Sequence, residues 1–325
     1  MKAILRPTYG TADVLRLADI EKPAPADDQI LVKVRAASVN PLDWHLMHGT
    51  PYLMRLGLGL PKPRSPRLGG DFSGTVESIG SRVSRFKPGD EVFGVARGSF
   101  AEYLTISEVR VAAKPAGLTF EQAAALPIAG LTALQALRDK GQVGRGQQVL
   151  INGAAGGVGT VAVQIAKSLG ADVAAVCSTP NVEFVRSLGA ILVFDYTKDD
   201  FAVDGRRYDV LLDNVGNRSL ADCRRALKPR GVYIGNGGGT PRDNRWGFAM
   251  LGSMIHSLVL SWFVSQKLRG ILANVNAKDL ADLATRVEAG QLIPIVDRRY
   301  ELSKVPEAIR YLETSRARGK VIIEI

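Results

Sequence analysis

A glycine-rich turn between a short apolar strand and a helix constrains the fold of this chain more than any other feature. Residues 149–152 read Val-Leu-Ile-Asn, the next seven read Gly-Ala-Ala-Gly-Gly-Val-Gly, and an apolar helical pattern follows. In this variant of the dinucleotide-binding fingerprint, Gly156 lets the backbone approach a pyrophosphate, and Gly159 lets the helix pack close to the strand. The free N–H groups and the positive dipole end of the helix favour the same phosphates. The turn therefore predicts a dinucleotide site formed by Ala154, Ala155, Gly156, Gly157, Val158 and Gly159.

Strands and helices alternate around this turn. The pattern predicts helices at 158–169 and 182–188, and strands at 148–152, 172–177, 191–194, 209–213 and 231–234. Alternation of this kind is typical of a doubly wound parallel sheet with helices on both faces. The middle of the chain is therefore predicted to be an α/β domain.

The first third of the chain has a different sequence pattern. Short β-branched segments separated by Pro and Gly lie at 30–34, 74–79 and 91–95, a pattern typical of a compact, barrel-like β domain. Thr119 begins a helix-capping pattern that includes Gln122, and here the sequence changes from a β pattern to an α/β pattern.

Beyond Thr119 the sequence predicts helices at 121–126 and 130–137. The last part of the chain returns to a sequence pattern like that of the first third. It predicts helices at 280–289 and 305–312 and strands at 299–302 and 320–325. We expect this part to complete the first domain.

The residues after the second strand of the α/β domain bear on the choice of dinucleotide. An Asp or Glu about 20 residues past the fingerprint would bind the adenosine ribose of NAD. Here Ser178, Thr179 and Asn181 follow the strand, with no acid before Glu183. Hydroxyl and amide groups can hydrogen-bond a 2′-phosphate that a carboxylate would repel, so NADPH is the expected cofactor. Ser178 and Thr179 could instead, or in addition, cap the helix that starts near Asn181.

The composition narrows the classes of function. The chain has 325 residues, two cysteines and three histidines, which excludes a disulfide scaffold and a four-thiolate zinc site. Lys and Arg number 42 against 32 Asp and Glu, but the basic residues are scattered and lack interleaved aromatics, so no nucleic-acid partner is expected. The N-terminal residues lack a sustained apolar stretch of the secretory type, and we expect a cytoplasmic protein.

Residues 247–266 carry no formal charge and are about long enough to span a bilayer. Leu251, Ile255, Leu258 and Trp262 would share one helical face, and several serines would lie on another. A polar stripe of this kind disfavours a membrane-spanning helix. We expect the helix to be buried at the subunit interface of a homodimer, and weak contact with a membrane surface stays open as an alternative.

Several motifs together resemble one family. They read Ser-Val-Asn-Pro-Leu-Asp at 38–43, Gly-Gly-Asp-Phe-Ser-Gly at 69–74, Lys-Pro-Gly-Asp-Glu-Val at 87–92, Leu-Pro-Ile-Ala-Gly-Leu-Thr-Ala at 126–133, and Ala-Arg-Gly-Lys-Val at 317–321. With the 153–159 turn and the order of domains, they are similar to the zinc-free quinone oxidoreductase branch of the medium-chain dehydrogenase/reductase superfamily. Within that branch the chain most resembles the subgroup of the plant chloroplast-envelope quinone oxidoreductase homologue and the reticulon-4-interacting mitochondrial protein.

This resemblance implies a division into domains. It implies a GroES-like substrate and catalytic domain at 1–122, an NADP(H)-binding Rossmann domain at 123–270, and a return segment at 271–325 that completes the catalytic domain.

The resemblance also bears on metal binding. Zinc-binding members take one ligand from a Cys on the loop that residues 38–43 are expected to form here, where this chain has Asn40. They take others from a Gly-His-Glu motif where this chain has Gly70-Asp71. Asp43, His45 and His48 form one local group that could hold a metal, but no Cys or second acidic arm accompanies them. We therefore expect no metal.

Three residues are candidates for contact with the substrate. Asn40 matches the family's active-site Asn and is implied to donate a hydrogen bond to the developing oxyanion, although capping its own turn before Pro41 is an alternative. His45 stands where many members have Tyr, and could donate to the substrate oxygen, relay a proton, or simply line a pocket or the surface. Tyr52 is a further polar candidate on the same loop.

Further cofactor contacts are implied by position in the family pattern. The family residue that matches Thr132 lies near the nicotinamide end of the cofactor. The one that matches Tyr196 lies near the phosphate of the adenosine. The remaining implied contacts are Asn214, Val215, Gly216, Gly235, Phe263 and Val264. Turn and core roles stay open for each of these residues, because strand ends attract Gly and Asn in any case.

Without a metal, the remaining chemistry is hydride transfer from NADPH to an acceptor that delocalises negative charge itself. Quinones and α,β-unsaturated carbonyl compounds are such acceptors, and the resemblance implies that this chain reduces them. Two alternatives stay open. One is an NADPH-binding protein of a membrane surface or of a partner, with little catalysis, and the other is an enoyl-thioester reductase of the same superfamily.

Overall fold

The computed structural model of the chain describes residues 1–236 and 265–325. Two compact units are formed. The β unit consists of Met1–Leu131, Asn274–Gly290 and Pro294–Ile325, and the Rossmann unit consists of Thr132–Ala273 and Gln291–Ile293. The sequence suggests changes of domain near residues 122 and 270, and the main passages of the chain between units follow Leu131 and Ala273. Phe263, Val264 and all but the last two residues of the predicted 247–266 helix lie outside the described residues.

The strands are numbered in chain order. They are β1 (Lys2–Leu5), β2 (Arg16–Asp19), β3 (Gln29–Val39), β4 (Asp71–Ile79), β5 (Glu91–Val95), β6 (Tyr103–Ser107), β7 (Val111–Ala113), β8 (Gln148–Asn152), β9 (Asp172–Cys177), β10 (Leu192–Asp195), β11 (Tyr208–Asp213), β12 (Leu227–Gly235), β13 (Lys267–Gly270), β14 (Val296–Glu301) and β15 (Lys320–Glu324).

The α-helices of the described residues are α1 (Pro41–His48), α2 (Arg55–Leu58), α3 (Phe120–Ala124), α4 (Pro127–Gln135), α5 (Gly157–Ser168), α6 (Val182–Ser187), α7 (Leu220–Arg225), α8 (Ala277–Glu288) and α9 (Val305–Glu313). Short 3₁₀ helices include Tyr52–Met54 and Thr179–Asn181.

The β unit is built on a sheet in the order β14-β15-β3-β4-β5-β7, with β6 also paired to β3. The apolar side chains of β3 pack against those of β4 and β5 in a buried cluster that includes Ile30, Phe72 and Val92. β3 runs on to Val39 instead of ending at Val34, because its second half pairs with β15 at the far end of the chain. The segment expected to be a loop at 38–43 is therefore the end of a strand and the start of α1.

The helices after β7 follow their capping residues. α3 begins after Thr119, whose hydroxyl accepts a hydrogen bond from the Gln122 N–H at 3.3 Å, which confirms the predicted cap. α4 begins at Pro127 and not at Gly130, because a proline has no N–H to lose in the first turn. Gly130 leaves room inside α4 for Leu283, whose nearest methyl group would lie 2.6 Å from a Cβ at this position.

The Rossmann unit contains a parallel sheet in the order β10-β9-β8-β11-β12-β13. This order is that of a doubly wound dinucleotide-binding fold, and the direction of winding reverses between β8 and β11. Its central strands are fully buried, with Leu150 and Leu211 in one apolar cluster. The predicted α/β fold class is confirmed. Within residues 1–236 and 265–325, no helix has the length and apolarity needed to cross a bilayer.

Candidate functional site

The glycine-rich turn lies where β8 ends. Gly153 has a φ of +77°, in the left-handed region that favours glycine. A Cβ at Gly159 would lie 2.1 Å from the Gly153 carbonyl oxygen, so close packing requires glycine there. A Cβ at Gly156, the N-cap residue of α5, would meet only that same oxygen, at 3.6 Å. The turn is therefore tightly packed at Gly159 and open at Gly156.

The N-terminus of α5 provides donors at this open position. The N–H groups of Gly157, Val158 and Gly159 belong to the first turn of the helix and have no partner four residues earlier within it. Ala154 is held by a hydrogen bond from its N–H to the Val176 carbonyl, 3.0 Å away, and Ala155 is buried beside it. Unpaired N–H groups and a helix dipole beside open space fit a pyrophosphate.

A buried carboxylate organises the next strand end. Asp213, the last residue of β11, is fully buried and accepts hydrogen bonds through Oδ1 from Asn152 Nδ2 at 2.9 Å and from the Gly216 N–H at 2.9 Å. Its Oδ2 accepts from the Tyr233 hydroxyl at 3.1 Å. This network fixes the turn at 214–216 beside the glycine-rich turn. Sequence reasoning missed Asn152 and Asp213 as its organisers, although polar residues ending neighbouring parallel strands were a readable signal.

The implied cofactor residues of this turn are thereby held in place. The Asn214 side chain donates to the Asn152 carbonyl at 3.1 Å and accepts from Asn236 Nδ2 at 2.8 Å. Val215 is partly exposed, at 38% of its surface. Gly235 ends β12 opposite Asp213 in the register of the sheet. These residues line one edge of the parallel sheet, where ligands of such sheets bind.

The end of β9 carries the residues expected to recognise a 2′-phosphate. The Ser178 hydroxyl accepts a hydrogen bond from Asn181 Nδ2 at 3.1 Å, which leaves its own proton available to a ligand. The Thr179 hydroxyl lies 2.6 Å from Asp195 Oδ2 and must donate to that carboxylate. Neither side chain caps a helix, because the hydrogen bonds of both go elsewhere. The capping alternative is therefore wrong.

Asp195 is an acid that the sequence pattern did not reveal at this position. It lies opposite Cys177 in the pairing of β10 with β9, so its carboxylate reaches the residues after β9. Hydrogen bonds from the hydroxyls of Thr179 and Thr197 lower the pKa of the Asp195 carboxyl. Lys198 Nζ lies 3.7 Å from it and offsets part of its charge. Thr179 therefore has no hydroxyl proton to offer a phosphate, and Ser178 and Asn181 remain.

Two further implied contacts belong to the Rossmann unit. Tyr196 follows Asp195 and is exposed over 51% of its surface, with its N–H donated to the Cys177 carbonyl at 3.0 Å. Thr132 is buried on α4. The side chain of Tyr196 is therefore accessible to a ligand from outside the protein, whereas that of Thr132 is covered.

The β unit contains a buried polar network around Lys320, the first residue of β15. The ammonium Nζ of Lys320 lies 2.6 Å from Asn40 Oδ1, 3.2 Å from Asp71 Oδ2 and 3.3 Å from the Val39 carbonyl. Asp71 Oδ2 also accepts from Asn40 Nδ2 at 2.9 Å and from the Ser38 hydroxyl at 2.7 Å. The Asp71 side chain is fully buried, and that of Lys320 is 6% exposed. Lys320 was missed because 280 residues separate it from Asn40.

Asp43 forms the second part of this network. Its carboxylate accepts a hydrogen bond from the Asn40 N–H at 2.8 Å, which stabilises the start of α1. Asn40 is the N-cap residue of α1 and forms a capping box with Asp43, so the capping alternative holds beside the contacts of its amide with Lys320 and Asp71. Burial raises the pKa of the Asp43 carboxyl to about 7, and the nearby Asp71 charge adds to this.

The other candidates in the β unit lie on helices and not on a loop. His45 is buried in α1 with its ring 3.6 Å from that of Trp44, and burial lowers the pKa of the His45 imidazole to about 4. A neutral ring can donate one N–H but is no strong acid at neutral pH. Tyr52 is 58% exposed, with the Arg55 guanidinium 4.6 Å from its ring. His48 pairs with Glu313 at 3.1 Å, away from this group.

Two family models match the chain. One describes the alcohol dehydrogenase GroES-like domain and matches residues 26–116. The other is described as a zinc-binding dehydrogenase and matches residues 188–323. The residues found here do not fit a zinc ion of the kind that description implies. Among the described residues, no three His, Cys, Asp or Glu side chains are grouped to hold a metal.

The positions that would have to supply zinc ligands are already occupied by a cation. Asn40 Oδ1 and Asp71 Oδ2 both contact the Lys320 ammonium. The two cysteines lie in the Rossmann unit, where burial raises the pKa of the Cys177 thiol to about 11 and that of the Cys223 thiol to about 12. Both thiols stay protonated at neutral pH, whereas zinc binds the thiolate.

Relatives of the chain are similar over almost its whole length. The 2-methylene-furan-3-one reductase of Solanum lycopersicum is 36% identical over 99% of this chain and 79% of its own. The NADPH-dependent alkenal/one oxidoreductase of Arabidopsis thaliana chloroplasts is 34% identical, with the same shares covered. The structure of the quinone oxidoreductase from Coxiella burnetii superposes with a TM-score of 0.86, at 33% identity over 100% of this chain and 99% of that one. Together with the GroES-like and Rossmann units, these similarities show that the chain belongs to the medium-chain dehydrogenase/reductase superfamily, alongside its quinone and alkenal/one oxidoreductases.

Proposed function

We propose that this chain is an NADPH-dependent oxidoreductase that reduces quinones and α,β-unsaturated carbonyl compounds without a metal ion. The observation that carries the proposal is the glycine-rich turn at the reversal point of the parallel sheet, open at Gly156 and closed at Gly159. The names of the relatives support the substrate class, since they include an NADPH-dependent alkenal/one oxidoreductase and a quinone oxidoreductase.

The Rossmann unit would hold NADPH with the groups described above. Gly156 leaves room for the pyrophosphate, and the first N–H groups of α5 donate to it. The Ser178 hydroxyl and the second amide hydrogen of Asn181 donate to the 2′-phosphate, with the exposed Tyr196 hydroxyl as a further donor. When bound, NADPH supplies a hydride to the quinone or to the β-carbon of the enone.

The β unit would supply polar contacts to the substrate oxygen. Asn40 Oδ1 is fixed by Lys320 and one hydrogen of its Nδ2 by Asp71, so the orientation of the amide is determined. The other hydrogen has only a long contact, 3.4 Å, with the Ser38 carbonyl, and we assign it to the substrate oxygen. The exposed Tyr52 hydroxyl is the candidate donor for the proton that completes the reduction, and His45, as a neutral ring, is a candidate hydrogen-bond donor to the substrate oxygen.

The absence of a metal requirement rests on the Lys320 network. A fixed ammonium already contacts the two side chains at the positions of the zinc ligands, and a divalent cation beside it would be repelled. Purified protein should contain zinc well below one ion per chain, and a chelator should leave NADPH oxidation unchanged. One tightly bound zinc per chain, lost together with activity, would contradict this part of the proposal.

The cofactor preference has a direct test in Ser178→Asp. The new carboxylate would repel the 2′-phosphate and accept hydrogen bonds from the ribose hydroxyls of NADH. One hydrogen bond to a charged group is worth about tenfold or more in affinity. We therefore expect the ratio of kcat/KM for NADPH to that for NADH to fall more than about tenfold with one quinone acceptor.

The control for this test is Ser187→Asp, which adds the same charge on the exposed end of α6. It should leave the cofactor ratio unchanged. A wild-type preference for NADH, or an unchanged ratio in Ser178→Asp, would show that the phosphate does not bind at the end of β9.

We further propose that the chain forms a homodimer through the apolar segment at 247–266, on the sequence pattern alone. A monomer at micromolar concentration in sedimentation would count against this. A cytoplasmic location is proposed as well, and the two free cysteines are consistent with a reducing compartment. Recovery of the protein only in an organelle fraction would refute it.

A further inference from the structure

Three arginines line one small recess of the β unit. Arg6 follows β1, Arg67 precedes β4, and Arg97 follows β5. Ser65 completes the polar lining, and the apolar walls include Leu46 of α1 and Leu58 of α2. The recess is shallow, with about 20 Å³ of room inside it, close to that of one water molecule, so a larger group would bind at its open mouth. Three guanidinium groups around one recess create a strongly positive potential there.

Arg6 is the buried member of this group. It is 3% exposed, and both its Nε and its Nη1 are buried without a hydrogen-bond partner. Among the described residues, the only hydrogen bond of its guanidinium is from Nη2 to the Ser65 carbonyl, at 3.3 Å, and the guanidinium lies 5.2 Å from the Tyr9 ring. A guanidinium has five N–H donors, and leaving buried donors unpaired is costly.

No carboxylate compensates the three arginines within residues 1–236 and 265–325. None of them forms an ion pair there, and the sequence has no Asp or Glu between Asp43 and Asp71 or between Glu91 and Glu102. Burial lowers the pKa of the Arg6 guanidinium, Tyr9 acts in the opposite direction, and the positive charge of Arg97 lowers this pKa further. The protein therefore holds like charges together without an internal counter-charge.

We propose that this recess, lined by Arg6, Arg67 and Arg97, binds the phosphate group of a ligand distinct from the dinucleotide. Arginine is suited to this because its planar guanidinium pairs with phosphate oxygens and stays charged. Arg6 would supply a fixed positive charge at the inner end of the recess. Arg97, which is exposed, and Arg67, which is half-buried, would contact the phosphate oxygens at the mouth.

The phosphate could be free, part of a soluble ester, or the headgroup of an anionic lipid. The recess recognises the chemistry that these sources share. Exposed Leu56 and Leu60 flank Leu58 in sequence, with 63% and 62% of their surfaces accessible, so an acyl chain would find apolar surface in this segment. The experiment therefore includes both inorganic phosphate and lipid vesicles.

The test measures the thermal midpoint Tm of the full chain against inorganic phosphate, with chloride keeping the ionic strength constant. Saturating NADP⁺ is present throughout, so that phosphate does not report on the Rossmann unit. A ligand that binds only the folded state raises Tm as its concentration increases. We expect this rise in the wild type, and a shift of the phosphate dependence to about tenfold higher concentration in Arg97→Gln. The control Arg110→Gln changes an exposed arginine of the same unit and should behave like the wild type.

A second variant tests the buried arginine without relying on loss of fold. Arg6→Met removes a buried charge that lacks a counter-charge, so in phosphate-free buffer its Tm should equal or exceed that of the wild type. With phosphate the order should reverse, because only the wild type gains. The proposal would be overturned if phosphate did not raise the Tm of the wild type. It would also be overturned if phosphate raised the Tm of Arg6→Met and Arg97→Gln as much as that of the wild type.

Vesicles distinguish the sources of the phosphate. Co-sedimentation with phosphatidylcholine vesicles that contain phosphatidic acid, lost in Arg97→Gln but kept in Arg110→Gln, would assign the recess to a lipid headgroup. Binding of inorganic phosphate without vesicle binding would assign it to a soluble phosphate compound. If the protein does not oxidise NADPH, the proposed function is refuted. The recess can still be tested in that case, by comparing the same arginine variants in NADP⁺-free buffer.

Discussion

Replacement of Lys320 by methionine should destabilise the β unit strongly. The substitution keeps an unbranched side chain in β15 but removes the ammonium that contacts Asn40, Asp71 and the Val39 carbonyl. The Asp71 carboxylate, which is fully buried, would retain its hydrogen bonds from Ser38 and Asn40 but lose its counter-charge. Breaking a buried ion pair by removing one partner costs about 3–5 kcal/mol.

For Lys320→Met we expect a loss of stability at the lower end of this range of about 3–5 kcal/mol. Besides the Ser38 and Asn40 donors, the Ile128 N–H donates to Asp71 Oδ1 at 2.8 Å, so the orphaned carboxylate would not be without partners. We therefore expect Lys320→Met to lower the free energy of unfolding by about 3 kcal/mol. The measurement is urea unfolding followed by circular dichroism, with a common slope for the two proteins.

A matched control and a double variant complete this test. Lys304→Met removes an exposed lysine whose pairing with Glu307 is at the surface, and should cost less than about 1 kcal/mol. Lys320→Met combined with Asp71→Asn should cost less than the sum of the single variants, by about 1–3 kcal/mol. A loss below about 1 kcal/mol in Lys320→Met, or strict additivity, would refute the reasoning.

Three further outcomes follow from the same structure. Burial raises the pKa of the Asp43 carboxyl from 3.8 to about 7. The folded chain therefore binds this proton more tightly than the unfolded chain, which stabilises the fold at low pH, and the stabilisation is lost as pH rises from 3.8 to about 7. The free energy of unfolding of the wild type relative to Asp43→Asn should fall by roughly 4 kcal/mol over that range in urea titrations, and a constant difference would contradict it. Gly159→Ala should destabilise the Rossmann unit, because its Cβ would lie 2.1 Å from the Gly153 oxygen, whereas Gly156→Ala should keep the wild-type Tm and weaken NADPH binding measured by fluorescence. Tyr52→Phe removes an exposed hydroxyl and should leave Tm unchanged while lowering kcat for an enone, if this residue donates the final proton.

The local sequence was sufficient to predict the central strands of the Rossmann unit, although it missed α7 and β13. β8 and β9 begin and end at the predicted residues, because fully buried parallel strands are continuous apolar runs bounded by turn residues. The cap at Thr119 was also predictable, since it involves residues only three positions apart. The glycine-rich turn has the expected split of roles, with one glycine required by packing and another next to open space.

The parts that local sequence could not reveal depend on distant residues. The second half of β3 is a strand because β15 pairs with it, and this pairing converts a predicted loop into a strand end followed by α1. Lys320 meets Asn40 only through the same pairing. Asp195 reaches the end of β9 because β10 lies beside β9 in the sheet, which depends on register and not on proximity in sequence.

The most direct test of the proposed chemistry follows the transferred hydrogen. Metal-free protein is incubated with an α,β-unsaturated ketone and NADPH that carries deuterium at nicotinamide C4, prepared separately on each face of the ring. The proposal predicts that one of the two labelled cofactors transfers deuterium to the β-carbon of the saturated product, with one NADPH oxidised per product and no effect of added zinc. Oxidation of NADPH without deuterium in the product, or reduction only after zinc is restored, would contradict it.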